Sequence, residues 1–422
     1  MTQHRRMLIG LLLGSCLGLA ASTFAPGSEW VQGLVRYVTE PIGKIFIRLL
    51  LMLVVPIVFS ALVMGVSELD LKHLGRIGKR TLIYTVVIST IATLIGLFLV
   101  NLLQPGAAVS DALRQQARAQ IEAAPPLAST SAIDLLVAIV PSNPIQAAAT
   151  GDMIGFVVFS LLFGIGLALC PGEGAAALKR VISGIFEVSM RLIEMVLKLA
   201  PLGVGALLFT MTARVGLSVL LQLGAYVGVV VAGLALHMFG VYSLSVRFLS
   251  GMSPRRFFRD IRLAITTAFS TASSNATLPT ALRVADENLR LPPQVSRFVL
   301  TAGATMNQNG TALFEGVTVL FLAQAYGIEL DLARQAIVMA ICILAGIGTA
   351  GVPAGSLPVI AMILTMLGIP AEGVGLILGV DRFLDMCRTT VNVAGDLAAA
   401  VFVGRNEPNE DLPVDRQISP AA

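Results

Sequence analysis

One face of a long apolar segment near the end of the chain carries polar and ionisable side chains. They lie at offsets of 0, 4, 7, 8, 11 and 15 positions, as Asp381, Asp385, Arg388, Thr389, Asn392 and Asp396. At about 100° per residue these offsets fall within a stripe about 100° wide, which predicts a helix with one polar face. Inside a membrane, such groups are costly and usually line the path of a substrate or an ion. The alternative is an intrahelical ion pair near the membrane interface, with Asp396 in solvent.

The charges on this face suit a small molecule that carries both signs of charge. Arg388 keeps its proton and offers a planar fork of donors that fits a carboxylate, and Asp385, one turn away, suits an ammonium group. A molecule with both groups and a further carboxylate is an acidic amino acid. Its α-carboxylate would bind backbone N–H groups and hydroxyls at the segment 273–275, with help from Asn392.

A second polar motif, NQNGT at 307–311, offers oxygen ligands for a hard cation. We expect the helix to break at Gly310 and to free backbone carbonyls beside the amide oxygens of Asn307 and Asn309. Sodium favours such ligands, and Asp396 supplies a compensating charge. The alternative is an amide cluster that holds two helices together.

Glu315 is a candidate proton carrier. It lies four residues after Thr311, hence on the same helix face, and between Phe314 and Val317 in an apolar run. Such surroundings favour the neutral carboxyl group, which holds its proton. The alternative is a permanent ionic partner for Arg388 whenever the site is empty, and both roles can hold at different stages of a cycle.

Composition places these motifs in a lipid bilayer. Of the 422 residues, 56% are hydrophobic and only 13% are charged, too little polar surface for a soluble domain. Short basic segments between the apolar runs read as topology signals rather than as a nucleic-acid surface, and they place the N-terminus in the cytoplasm. The four cysteines form no cluster, so neither zinc nor a disulfide framework is expected.

The order of apolar and polar segments predicts helices and two hairpins. The expected helices cover residues 7–24, 41–66, 81–103, 133–170 with a break at the PSNP of 141–144, 181–213 and 216–248. In the second half, apolar arms too short to cross a bilayer flank the polar centres STASSNATLPT and GIGTAGVPAGS, over about 257–290 and 332–367. Two interrupted segments in matching positions indicate a transporter site near the bilayer midplane.

Seven motifs make the chain resemble the dicarboxylate/amino acid:cation symporter family, which includes the glutamate and aspartate transporters. They are PIVFSALVMGV at 56–66, PSNP at 141–144, APLGVGAL at 200–207, SSNATLP at 273–279, NQNGTALFEG at 307–316, GTAGVP at 348–353 and DRFLDMCRTTVNVAGD at 381–396. The resemblance implies an all-α membrane protein with eight transmembrane helices plus two re-entrant helical hairpins, built from inverted repeats. It further implies a multi-pass homotrimer in the plasma (inner) membrane, with both termini cytoplasmic.

The resemblance also implies a scaffold and a moving transport domain, which would operate as an elevator. Residues 1–70 would hold scaffold helices 1 and 2, and residues 133–215 scaffold helices 4 and 5. Residues 71–132 would hold transport-domain helix 3 and an external loop. Residues 216–405 would hold the rest of the transport domain, helices 6 to 8 and both hairpins, and 406–422 a cytoplasmic tail.

The family's ligands carry over to residues of this chain. Arg388 would bind the side-chain carboxylate of the substrate and Asp385 its amino group, with the second hairpin as the gate. The substrate-binding set would be Ser273, Ser274, Asn275, Thr311, Val352, Ser356, Asp385, Arg388, Thr389 and Asn392. The sodium ligands would be Gly303, Thr305, Asn307, Gly346, Ile347, Thr349, Asn392 and Asp396.

Departures from the family pattern bear on coupling. Asn309 stands where many sodium-coupled members have an aspartate, and Thr85, Ile88 and Ser89 align with the tyrosine, threonine and serine ligands of the same site. We therefore expect a weakened third cation site at Thr85, Ser89 and Asn309. Conversely, Glu315 matches the glutamate that carries the cotransported proton in animal glutamate transporters.

The substrate itself stays open at this point. Asn275 and Ser356 replace residues that are commoner in the family. A C4-dicarboxylate ranks second because it lacks the ammonium group that would neutralise Asp385, and cystine or a neutral amino acid ranks below that. An ion channel would need an open conduction path. A membrane enzyme would need a catalytic motif that we do not find, so we expect no enzyme and no cofactor beyond Na⁺ and/or H⁺ as coupling ions.

Overall fold

The computed structural model of the chain describes residues 3–67, 76–107, 140–150, 153–348, 355–405 and 407. In these ranges the regular elements are helices, and none of the described residues lies in a β-strand. The all-α prediction is therefore confirmed for this part of the chain. Of the predicted cytoplasmic tail only Glu407 is described, and most of the predicted external loop lies outside the described residues.

The first half of the chain forms helices that are mostly apolar. They are α1 (Gln3–Phe24), α2 (Glu29–Leu34), which continues through a π-helical stretch (Val35–Thr39) into α3 (Glu40–Leu51), α4 (Val54–Ser67), α5 (Arg76–Leu103), α6 (Pro144–Thr150), α7 (Met153–Leu169), α8 (Glu173–Lys198) and α9 (Ala200–Val215).

The second half contains the helices that carry the polar motifs. They are α10 (Ser218–Ala235, continued by Leu236–Val241, Tyr242–Leu244 and Ser245–Leu249 with two π-helical stretches), α11 (Pro254–Asp260), α12 (Arg262–Thr271), α13 (Ser274–Glu287), α14 (Pro293–Met306), α15 (Asn309–Ala325), α16 (Leu332–Gly348), α17 (Ser356–Met366) and α18 (Val374–Gly404).

By length and composition, three helices of the described residues can cross a membrane. They are Arg76–Leu103 (α5), Leu220–Leu249 (most of α10) and Val374–Gly404 (α18). A fourth span arises if the bent pair of α8 and α9 counts as one. Shorter apolar stretches lie in α1, α4, α7, α16 and α17. The number of eight transmembrane helices stays a prediction.

Some predicted helix boundaries are wrong. The helix predicted over 181–213 bends by 57° between α8 and α9. Pro201 is the second residue of α9, and a proline ring there lacks an N–H and clashes with the carbonyl four residues earlier, which ends the preceding helix. A turn at 52–53 interrupts the helix predicted over 41–66, and α5 begins at Arg76, five residues before the predicted start at 81.

At the PSNP motif the chain is non-helical over 140–143, and α6 begins at Pro144. The side-chain oxygen of Asn143 accepts hydrogen bonds from the N–H groups of Ile145 at 3.0 Å and Gln146 at 3.2 Å. Asn143 is thus the N-cap of α6, and Pro144 occupies the first helical position, where its missing N–H costs nothing. The predicted segment 133–139 lies outside the described residues.

The polar helix α18 lies at the centre of the fold. In its most apolar 18-residue window 83% of the residues are buried inside the protein, compared with 39% for α5 and for Leu220–Leu249. Its apolar side chains Leu384, Val391 and Leu397 are buried as completely as its polar stripe. Neighbouring helices therefore surround α18 on nearly all sides, and its charges must find partners within the protein.

Helices α12 and α13 fold back on each other as the first predicted hairpin. The side-chain amide of Asn288, just after α13, donates to the backbone oxygen of Asp260 before α12 at 2.9 Å, which joins the two ends. At the tip, Ala272 has a left-handed conformation with φ of 49°. The tip of the second hairpin, residues 349–354 between α16 and α17, lies outside the described residues.

Candidate functional site

The guanidinium of Arg388 is the centre of the polar stripe. Its side chain is only 2% exposed, and it contacts Asp381 Oδ1 through Nη1 at 3.0 Å and Asp385 Oδ1 through Nη2 at 2.9 Å. The centre of the Phe314 ring, from α15, lies 4.2 Å from the Cζ atom of Arg388. The intrahelical ion pairs of the alternative interpretation therefore exist. They are buried, however, and Asp396 is buried as well, at 3% exposure, instead of lying in solvent.

Arg382 is a member of this charge cluster that the sequence analysis missed. Its Nη1 lies 3.4 Å from Asp385 Oδ2, and its Nη2 lies 3.5 Å from the backbone oxygen of Thr271 at the first hairpin tip. Arg382 is 23% exposed and stands only about 20° beyond the edge of the predicted stripe. Its spacing of three residues from Asp385 is that of a helix ion pair, which was the available signal.

Glu315 is fully buried in α15, one residue after Phe314. Neither of its carboxyl oxygens has a hydrogen-bond partner among the described residues. The ion pairs of Arg388 seen in the described part of the chain are with Asp381 and Asp385, so a pair between Arg388 and Glu315 is not observed there. A buried carboxyl group without a hydrogen-bond partner is costly when charged.

The break in the NQNGT segment lies earlier than predicted. Helix α14 ends at Met306 and α15 begins at Asn309, whereas Gly310 lies inside the first turn of α15. A Cβ atom on Gly310 would lie 2.6 Å from the backbone oxygen of Arg388. The glycine is therefore required for close contact with α18, and the prediction that it breaks the helix is wrong.

Asn392 of α18 caps the first turn of α15. Its Oδ1 accepts from the N–H groups of Gly310 at 2.7 Å and Thr311 at 3.3 Å. Its Nδ2 donates to Thr311 Oγ1 at 3.0 Å and to Gln308 Oε1. These bonds use the full capacity of the side-chain amide, so contact between this side chain and a ligand requires the loss of one of them.

Gly303, Asn307 and Asp396, three residues of the predicted sodium site, lie close together. Asn307 Nδ2 donates to Asp396 Oδ1 at 3.0 Å, and a Cβ atom on Gly303 would lie 2.5 Å from the same oxygen. The buried Oδ1 of Asn307 has no hydrogen-bond partner among the described residues. A carboxylate beside an amide oxygen without a partner is a donor set that suits a hard monovalent cation.

Asn309 of the expected third cation site takes part in a hydrogen-bond chain. Its Oδ1 accepts from Ser89 Oγ of α5 at 2.6 Å, and its Nδ2 donates to Tyr242 Oη of α10 at 3.1 Å. Tyr242 in turn donates to the backbone oxygen of Val391 at 3.1 Å. Thr85 is buried on α5. The structure thus brings Ser89 and Asn309 together, and adds Tyr242, which the sequence analysis did not name.

The predicted substrate-binding residues at the starts of α13 and α17 differ in their exposure. Ser273 Oγ accepts from the N–H of Ala276 at 3.2 Å and caps α13. Ser274 and Ser356, at the starts of α13 and α17, are buried, and their hydroxyl groups have no hydrogen-bond partner among the described residues. Asn275 is exposed, which separates it from this buried set.

The other predicted ligands are spread over three helices. Thr389 is buried on α18, and the hydroxyl of Thr305 donates to the backbone oxygen of Ala302 at 3.0 Å. Gly346 and Ile347 belong to the last turn of α16. A Cβ atom on Gly346 would lie 3.4 Å from the backbone oxygen of Gln308. Thr349 and Val352 lie outside the described residues.

Comparison with known proteins identifies the family. Residues 4–406 match the sodium:dicarboxylate symporter family. A proton/sodium-glutamate symport protein of Bacillus caldotenax is 34% identical over 402 residues, covering 94% of this chain and 93% of the relative. A proton/glutamate-aspartate symporter of Escherichia coli is 35% identical over 413 residues, covering 96% and 92%. A C4-dicarboxylate transport protein of Rhodospirillum rubrum is 32% identical over 376 residues, covering 88% and 83%. The resemblance drawn from the motifs is confirmed, and the chain belongs to the sodium:dicarboxylate symporter family.

Proposed function

We propose that this chain is a secondary active symporter that imports acidic amino acids, glutamate or aspartate, together with Na⁺, protons or both. The observation that carries the proposal is the buried guanidinium of Arg388 between Asp381 and Asp385. A permanent cation at this depth needs a counter-charge at every stage of a transport cycle. The side-chain carboxylate of the substrate can replace Asp385 at Arg388, and Asp385 then receives the amino group. Every charge stays paired before and after binding.

The remainder of the substrate would bind where α13 and α17 begin, beside the Thr311 hydroxyl of α15. Helix N-termini present N–H groups that suit an α-carboxylate. Ser273, Ser274 and Ser356 supply hydroxyl groups there, with Asn275 and Val352 at the hairpin tips. Thr311, Thr389 and Asn392 complete the set, with Asn392 acting mainly by fixing the first turn of α15 against α18.

Coupling to sodium is proposed to use the oxygen-rich break between α14 and α15. One ion would bind Asp396, Asn307 and backbone oxygens at Gly303 and Asn392. A second would bind Thr305, Thr349 and the last carbonyls of α16 at Gly346 and Ile347. The third site, at Thr85, Ser89 and Asn309, is weakened, because the oxygen and nitrogen of the Asn309 amide are already bonded and the amide carries no charge to offset the desolvation of sodium.

A proton on Glu315 would replace the cation lost from the third site. Its carboxyl group is buried without a hydrogen-bond partner among the described residues, which favours the neutral form. Release of the proton would allow the carboxylate to pair with Arg388 in the empty carrier.

The architecture proposed is that of an elevator with three subunits in the plasma (inner) membrane and both termini in the cytoplasm. Eight transmembrane helices and two re-entrant hairpins would be divided between a scaffold, 1–70 and 133–215, and a transport domain, 71–132 and 216–405. The proposal is supported by family membership and by the location in α15 and α18 of the buried carboxyl groups and the buried arginine named above. No path open to water from both sides is required, in contrast to a channel.

Uptake by the purified protein in proteoliposomes tests the proposed substrate. Wild type is expected to accumulate labelled aspartate or glutamate under imposed sodium and proton gradients. Arg388→Ala is expected to reduce this uptake by roughly 100-fold or more, since removal of one partner of a buried ion pair costs about 3–5 kcal/mol. Arg191→Ala, at an exposed arginine of α8, is the matched control and should behave as wild type. Near-normal uptake by Arg388→Ala would contradict the assignment of the site.

Internal pH during uptake tests the role of Glu315. Wild type should acidify the vesicle interior as substrate enters, whereas Glu315→Gln, which keeps the size of the side chain but cannot release a proton, should not. Equal proton flux in the two proteins, or none in wild type, rules out Glu315 as the carrier. Uptake without any sodium on either side would instead rule out the sodium sites.

A further inference from the structure

We infer that Arg382 is an internal substitute for the substrate's ammonium group at Asp385, and that it allows this site to bind C4-dicarboxylates, which have no amino group. The inference rests on the proposed function, because it concerns the same substrate site. It changes the expectation from sequence, in which a dicarboxylate ranked second because nothing would neutralise Asp385.

The two oxygens of the Asp385 carboxylate are divided between two arginines. Oδ1 lies 2.9 Å from Nη2 of Arg388, and Oδ2 lies 3.4 Å from Nη1 of Arg382. When a substrate carboxylate binds Arg388, Asp385 loses the contact between its Oδ1 and Arg388. Its contact with Arg382 through Oδ2 remains, so the aspartate keeps a counter-charge even when the substrate has no ammonium group.

The net charge of the cluster agrees with this role. Asp381 and Asp385 contribute two negative charges, and Arg382 and Arg388 contribute two positive charges, so the four side chains sum to zero. Without Arg382 the other three side chains would sum to one negative charge. An acidic amino acid brings its own ammonium to neutralise that charge, but a dicarboxylate cannot.

The exposure of the two arginines separates their roles. Arg388 is 2% exposed, so water cannot replace the aspartates that balance its charge. Arg382 is 23% exposed and can turn its guanidinium toward water. An incoming ammonium group can therefore displace Arg382 from Asp385 Oδ2 at modest cost. The same site would then serve both classes of substrate, with Arg382 paired in one case and released in the other.

The second contact of Arg382 ties this exchange to the first hairpin. Its Nη2 lies 3.5 Å from the backbone oxygen of Thr271, the residue before the left-handed Ala272. In the empty site, Arg382 therefore links Asp385 of α18 to the tip of the first hairpin. It is a positioning residue that sets specificity.

The test compares the affinities for aspartate and succinate in wild type and Arg382→Gln. Binding is measured by calorimetry on the purified protein in detergent with sodium present, so the result does not depend on transport. In Arg382→Gln the ratio of the succinate to the aspartate dissociation constant should rise at least tenfold. Arg382→Lys, which keeps the charge, should restore most of the wild-type ratio. Arg283→Gln, which removes an exposed arginine paired with Glu287 two turns beyond the hairpin tip in α13, is the control and should leave the ratio unchanged.

Because both ligands are measured on the same sample, the ratio is insensitive to a partly unfolded fraction. An unchanged ratio in Arg382→Gln, or wild-type protein that binds aspartate but not succinate, would overturn the inference. Failure of the proposed function has a different signature, since wild type would then bind or transport neither aspartate nor glutamate. Binding of succinate that is lost in Arg382→Gln would support the inference even in that case.

Discussion

The pair α1 and α9 and the group α14, α15 and α18 use glycine in the same way but with different results. In α1, a Cβ atom on Gly14 would overlap the backbone oxygen of Gly205 in α9, so the two backbones touch. In the polar group, a Cβ atom on Gly303 would lie 2.5 Å from Asp396 Oδ1, and one on Gly395 would overlap the Tyr242 hydroxyl. Glycine therefore makes room for a backbone in the first region and for a polar side chain in the second.

The difference teaches that close helix packing serves two purposes in this chain. Small residues along α1 let apolar helices approach closely, and such contacts stabilise membrane proteins through van der Waals packing. In the polar group, the missing Cβ atoms let carboxylate, amide and hydroxyl groups reach each other inside the protein. We therefore expect substitutions at the two kinds of glycine to affect different measured quantities.

The largest effect is expected for Gly303→Ala. The added methyl group would displace the Asp396 carboxylate, so the concentration of sodium needed for half-maximal binding of aspartate should rise by roughly 100-fold, which corresponds to about 2.7 kcal/mol. Thermal stability without sodium should change by only a few degrees. Gly228→Ala, at an exposed glycine of α10 with no atom within 4 Å of its added Cβ, is the control. Unaltered sodium dependence in Gly303→Ala would remove the distinction between the two regions.

A smaller effect, on thermal stability rather than on sodium dependence, is expected for Gly14→Ala. Overpacking costs about 1–3 kcal/mol, so the melting temperature should fall by several degrees while the sodium dependence of the remaining folded protein stays as in wild type. The matched control is Gly166→Ala, because Gly166 of α7 is exposed and no atom lies within 4 Å of its added Cβ. A change in sodium dependence as large as that of Gly303→Ala would mean that both regions serve the site.

The smallest effect is expected for Tyr242→Phe, which removes a hydroxyl group without adding volume. Asn309 Nδ2 and the backbone oxygen of Val391 would each lose a bond, and an unsatisfied buried polar group costs about 1–3 kcal/mol. Measured as a shift in melting temperature, the loss should exceed that of Tyr37→Phe, whose ring is 73% exposed. Equal shifts would show that the hydrogen-bond chain through Asn309 contributes nothing to stability.

Sequence periodicity was sufficient to predict the polar stripe of α18, because the spacing of its charged residues alone places them on one helix face. The stripe also explains why Arg382 was missed, since periodicity describes directions and not the reach of a long side chain. The bend before Pro201 was predictable from proline chemistry. Gly310 was misinterpreted because its role depends on the distance to α18, which a single sequence does not contain.

The cap on α15 could not be predicted for the same reason. Gly310 and Thr311 receive their hydrogen bonds from Asn392, about 80 residues later in the chain, and local capping rules consider only neighbours in sequence. Likewise, the burial of Ser274 and Ser356 without partners depends on the packing of separate helices.

The cap supplied by Asn392 also constrains how the protein is made. Helix α15 leaves the ribosome before α18 does, so for that interval the first turn of α15 lacks the acceptor that will later bind its N–H groups. Synthesis proceeds at about 5–20 residues per second, so this interval lasts several seconds. During biogenesis, water or another polar group must satisfy that turn until α18 arrives, and the polar core closes only after α18 has been synthesised.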